Sequence, residues 1–213
     1  MDLLDAIDWI KINGRGGGDF VIVLGKNESA PYINLTGMQA KITLKSDGVE
    51  RTVRYEGTRP SYSLFTIGSG VTFLLEDDVA LVGLRENSQP LIRVVGGTFI
   101  MNGGSIRDNV VSSSEFGGGV YLQSGVFTMN GGTISGNTAG DRGGGVFAGN
   151  SSTFIKSGTG GIIYGSNAPE GQANKARYGA AVYYNDKGWD RITTARASQA
   201  MDSRVSGAAG GWE

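Results

Sequence analysis

The stretch Gly96-Gly97-Thr98-Phe99-Ile100-Met101-Asn102-Gly103-Gly104-Ser105-Ile106-Arg107-Asp108-Asn109 returns almost intact 28 residues later. The second copy is Ser124-Gly125-Val126-Phe127-Thr128-Met129-Asn130-Gly131-Gly132-Thr133-Ile134-Ser135-Gly136-Asn137. A unit this short cannot bury an apolar face by itself, so copies must stack and share one core, which is the condition for a solenoid.

Three strand columns can be aligned outward from this pair, in repeats of roughly 22 to 30 residues. The first runs through residues 64–67, 91–94, 120–122, 146–148 and 182–184. The second runs through 71–75, 98–101, 126–129 and 153–155. The third ends in asparagine each time, at 84–87, 106–109, 134–137 and 164–167. Three strands per turn, each parallel to its copy in the next, predict an all-β fold, a right-handed parallel β-helix of the pectate-lyase-like solenoid type. A six-residue apolar beat, an L-x-x-L-x-L pattern and a G-G-x-G-x-D array are all missing, which sets aside the left-handed hexapeptide helix, the leucine-rich repeat and the calcium-binding nonapeptide array.

Alternation along the strands assigns the faces. Phe73, Phe99, Phe127 and Phe154 are expected to stack in one inward file, with Leu75, Met101 and Met129 in the next. Phe65, Ile92, Val120 and Val146 are expected to fill another. Each buried phenylalanine contributes about 2 kcal/mol, with a little more from ring stacking.

Composition agrees with a turn-rich folded chain. Glycine supplies 37 of 213 residues, yet proline is only 4 and apolar groups are plentiful, unlike a disordered chain. With 19 basic and 20 acidic residues, the chain offers no basic bias for nucleic acid, and none is expected as partner. It has no cysteine and no histidine, so disulfides, thiolate nucleophiles and imidazole chemistry are excluded. No apolar run reaches membrane-spanning length, and the acidic Met1-Asp2-Leu3-Leu4-Asp5 start is unlike a signal peptide.

An open solenoid end exposes strand edges and apolar surface and needs a cover. Residues 1–14 predict a capping helix with Asp2 as N-cap, Leu3, Ile7 and Ile10 on one face, and Gly14 as its stop. Residues 15–185 are assigned to the β-helix, with clear repeats over 60–185 and less regular turns over 20–55. Residues 186–213 are expected to be a mostly irregular tail packing on the last turn through Trp189 and Trp212.

The repeats carry F-x-x-N at Phe99–Asn102 and Phe127–Asn130, and G-G-x-V at Gly118–Val120 and Gly144–Val146. These resemble the repeats of the chlamydial polymorphic outer-membrane proteins. They are closer to the G-G-T-F-T-M-N-G-G-T-I-S-G-N repeats of predicted spirochaetal surface proteins and lipoproteins, whose C-terminus the segment 206–213 also resembles. The resemblance implies an extracellular or cell-surface β-helix, associated in the polymorphic family with adhesion.

The columns also supply the candidate sites. Asn87, Asn109, Asn137 and Asn167 are read as a structural amide ladder at the third-column turn. Glu86 and Asp108 are weak candidates for calcium, set beside Arg85 and Arg107 in what reads as a solvated ion-pair lattice. Glu76 leads a column that continues as Asn102, Asn130 and Ser157, so the acidic patch Glu76-Asp77-Asp78 has no depth. Pectate-lyase-like enzymes gather several carboxylates on one outer face, and this pattern does not. Arg93, Tyr121, Phe147 and Tyr183 take the outward position of the first column on successive turns. That file is the candidate ligand face, for a glycan or protein partner; a self-stacking ladder or a surface lying under the tail is the structural alternative. The sequence therefore predicts a non-catalytic module for adhesion or interaction, with no catalytic residue, cofactor or metal. Its alternatives are a self-assembling structural solenoid and, on fold analogy alone, a polysaccharide lyase or hydrolase.

Overall fold

Three short strands per repeat, each apolar on one face, can hide those faces by wrapping into a tube whose successive turns lie in register. The computed structural model has this form; it describes residues 1–57, 62–111, 115–156 and 160–184, together with the backbone of Ile192–Thr193. Its strands stack in parallel as a β-solenoid of about five turns, in a ten-stranded and a six-stranded sheet. Second-column strands Asp19–Leu24, Ala40–Ser46 and Val71–Leu75 pair in order, and the column continues in the second halves of Ile92–Met101, Val120–Met129 and Val146–Lys156. The first halves of those long strands form the first column with Ile33–Leu35, Phe65–Gly68 and Val182–Tyr184. The two columns meet at a bend. Gly125 takes φ 92° there, and a Cβ on it would run into the Gly97 carbonyl of the turn beneath.

The inward phenylalanine file is present and fully buried. Ring centroids are 6.0 Å apart from Phe73 to Phe99, 4.8 Å from Phe99 to Phe127 and 5.1 Å from Phe127 to Phe154, with planes within 26° of parallel. Phe65 joins from the first column at 4.8 Å from Phe73. The neighbouring file runs Leu44, Leu75, Met101, Met129 and closes on the buried Lys156. Phe65, Ile92, Val120 and Val146 fill the first-column interior in register, as expected, with Val182 after them.

The third column needs a correction at two turns. Ile106 and Ile134 pair with Leu81 and Ile163, not with Leu84 and Tyr164. Leu81 and Ile163 are fully buried, whereas Leu84 and Tyr164 are only half-buried. Both turns carry extra residues after the strand, and counting back from an asparagine therefore misplaced the strand itself.

The N-terminal helix, Leu3–Asn13, forms where its cap residues place it. Asp2 Oδ1 accepts a hydrogen bond from the Asp5 amide at 2.9 Å, and Gly14 ends the helix by donating its amide to the Ile10 carbonyl. Leu3, Ile7 and Ile10 are buried in the core of the first turn. At the other end the expected tail lies outside the described residues, Trp189 and Trp212 included. The strand Ile192–Thr193 adds a rung there on Ile155–Lys156. No helix among the described residues is long and apolar enough to cross a membrane.

Phe127→Ala is expected to cost about 3–5 kcal/mol by opening a cavity in the middle of the file. Thr128→Ala, on the outward face, is expected to cost under about 0.5 kcal/mol. Urea denaturation of the two variants checks this, and equal losses would show that the inward file is not what holds the solenoid together.

Candidate functional site

The outward first-column file is assembled by strand register alone: Arg93 pairs with Tyr121, Tyr121 with Phe147, and Phe147 with Tyr183. The rings do not form the flat exposed platform expected for Phe147. Tyr183 stacks on Phe147 at 5.6 Å with planes 3° apart, and Tyr121 meets it edge-on at 5.2 Å. Phe116 closes the other side, stacked on Phe147 at 4.6 Å. Phe147 is thus only 3% exposed, its apolar face taken up by three neighbouring rings rather than offered to solvent. Tyr121, Tyr183 and Phe116 stay half-buried and form the accessible rim.

Two guanidinium groups are set over this rim. Arg93 lies 5.5 Å above the Tyr121 ring and is held there by two donations to Gln123 Oε1, at 3.1 and 2.6 Å. Arg142 stands over both Phe116, at 5.5 Å, and Tyr183, at 5.2 Å, with Asp141 Oδ2 3.2 Å from its Nε. Burial pushes the Tyr121 hydroxyl above its ordinary pKa, and the nearby Arg93 charge works in the opposite direction. Cations over aromatic faces contribute about 0.5–1 kcal/mol each at exposed sites, so the rim is held in shape before any ligand arrives.

Phe116 and Arg142 escaped the column alignment, yet the sequence carries a signal for them. Phe116, Arg142 and Tyr178 bridge in parallel as a fourth, single-residue column. Each stands immediately before a glycine-led run, 117–119, 143–145 and 179–181, and five residues before Tyr121, Phe147 and Tyr183. The turn needs the left-handed conformation at its first position, with φ of 72°, 68° and 63° at Gly117, Gly143 and Gly179, where a side chain would be strained.

The asparagine column is a buried amide ladder whose last rung differs from expectation. Asn87 Nδ2 donates to Asn109 Oδ1 at 3.0 Å, and Asn137 Oδ1 accepts from the Asn109 amide at 3.1 Å. The fourth rung is Asn174, not Asn167. Asn137 Nδ2 donates to Asn174 Oδ1 at 3.1 Å, and Asn174 Nδ2 donates to the carbonyls of Ile134 and Tyr164. Asn87, Asn109, Asn137 and Asn174 are all fully buried, whereas Asn167 lies exposed on a loop over 165–173. The residue after each rung marks the corner: Val110, Thr138 and Lys175 bridge in parallel, and only Asn174 immediately precedes the last of them. A second amide ladder lies on the outside, where Asn130 Nδ2 donates to Asn102 Oδ1 and Asn102 Nδ2 to Glu76 Oε1. Ser157, the expected continuation, lies outside the described residues.

The acidic candidates do not converge. Asp108 pairs with Arg107 at 2.7 Å and Glu86 is exposed. Among the described residues no three acidic side chains come together as a metal-holding group. Comparison of the chain with protein-family models, curated proteins and solved structures returns no match.

Asn137→Ala removes a side chain bonded to buried groups of the turns on either side and is expected to cost at least about 2 kcal/mol. Asn167→Ala should change stability by under about 0.5 kcal/mol. Thermal and urea unfolding of the two variants discriminates; a stable Asn137→Ala variant would remove the structural role of the ladder.

Proposed function

We propose that this chain is a non-catalytic recognition module of a bacterial surface or secreted protein, binding a glycan or a protein partner through the aromatic–arginine rim. The observation that carries this reading is the packed rim itself: Tyr121 and Tyr183 braced on buried Phe147, with Arg93 and Arg142 already set over the rings. A rim held in place by its neighbours loses little side-chain freedom on binding, and tyrosine with arginine supplies both stacking area and directed donors. The surface location and the link to adhesion rest on the resemblance of the repeats. A non-catalytic role is supported by the residue types, since neither histidine nor cysteine is present.

The test is a glycan array and a cell-binding assay on the purified chain, each repeated with the Tyr121→Ala/Tyr183→Ala double variant. Binding by the native chain and its loss in a variant that melts within a few degrees of it is the expected result. Unchanged binding in that variant, or cleavage of pectin-like polymers by the native chain, would overturn the proposal.

Self-assembly, end-to-end or lateral, is the second reading. It is favoured by the outermost strand, Asp19–Leu24, whose outward Val21 and Val23 are 60% and 52% exposed. Sedimentation at rising protein concentration decides it. Assembly should appear as growing species that Val21→Lys/Val23→Lys abolishes, and a monomer throughout eliminates it.

A further inference from the structure

Charged side chains stand at both ends of the strands of the six-stranded sheet. Glu50, Asp77 and Asp78 line a hollow where its strands begin, while Arg54 and Arg107 stand where strands end. Along that second edge, where the third column turns toward the first, runs a groove of about 590 Å³. Its walls include Arg54, Arg85, Asp108, Thr138 and Lys175, one from each of five successive turns. The groove is therefore parallel to the solenoid axis, and four inter-turn steps give it a length of roughly 19 Å.

Three of these residues are cations with no carboxylate within ion-pair distance among the described residues: Arg54, Arg85 and Lys175, all exposed. Asp108 is the one acidic side chain in the described lining, and it is already answered by Arg107 at 2.7 Å. A chain with net charge −1 thus concentrates an unbalanced positive strip in a single concave track. Glycines 83, 136 and 171 add no side chain to the described lining.

We propose that this groove binds a linear acidic polysaccharide laid along the solenoid axis, with Arg54, Arg85 and Lys175 each meeting a carboxylate or sulfate of the chain. The spacing selects a polymer: Arg54 and Arg85 stand on adjacent turns but Lys175 is three turns beyond Arg85, too far to share one small anion with them, whereas a repeating polyanion reaches all three. Nucleic acid is disfavoured because no aromatic side chain in the described lining is placed to stack on bases. The groove and the aromatic rim are separate surfaces, so this proposal does not depend on the rim.

The test is calorimetric titration of the full chain with polygalacturonate and with heparin at low salt, as carboxylated and sulfated probes. The Arg85→Glu/Lys175→Glu variant should lose at least about tenfold in affinity for the preferred polymer. The milder Arg85→Gln/Lys175→Gln pair serves if charge reversal lowers the melting temperature. Lys26→Glu/Lys45→Glu, with the same change in net charge elsewhere, should lose less than about twofold, and added salt should weaken native binding. The Tyr121→Ala/Tyr183→Ala variant should bind these polymers normally, which separates this result from failure of the rim. Equal losses in groove and control variants, absence of native binding to both polymers, matching affinity for monomeric galacturonate or inorganic phosphate, or tighter binding of a single-stranded oligonucleotide would each overturn the proposal.

Discussion

Parallel stacking at about 4.8 Å between turns is the constraint on which the rest of this structure depends. It makes each side chain the neighbour of the residue one repeat away, so a single good inward residue, once repeated, becomes a column. Phenylalanine exploits this because ring planes nearly parallel at 4.8–6.0 Å satisfy strand spacing and stacking together. The same rule acts outside. The Arg93–Tyr121–Phe147–Tyr183 file exists because register brings these residues into line.

Corners are a separate problem. A strand that turns sharply leaves main-chain carbonyls and amides inside, with no water to satisfy them. The buried asparagines resolve this by serving two turns at once: Asn137 donates to the Ile106 carbonyl below and to Asn174 above. A pinned corner also tolerates insertions beyond it. The loop over 165–173 leaves the stack after Ile163 and returns at Asn174 without disturbing the rung, so turns of unequal length share one core.

The solenoid brings two different surfaces to adjoining parts of its wall. The aromatic rim is rigid because its rings pack on each other under two arginines, and it suits stacking on a flat partner. The basic groove is long and follows the axis, with cations on the first, second and last of the five turns it crosses. Both are products of a fold that distributes side chains along a line.

The sequence alone determined the class of fold, the inward files and the N-terminal cap, because each is written in local period: alternation for strands, the 28-residue recurrence for stacking, and Asp2 with Gly14 for the helix ends. It could not place the fourth rung of the ladder. Asn167 and Asn174 both come after the last third-column strand, Ile162–Ile163, and only the closed corner shows which of them is buried. It also could not show that Phe147 is covered, since Phe116 reaches it from a loop five residues ahead of Tyr121, in a column one residue wide. The groove was beyond sequence reach altogether. Arg54, Arg85 and Lys175 share no period and no motif; they come to line one groove because the helical path returns to the same edge once per turn, and that path is a property of the tertiary structure.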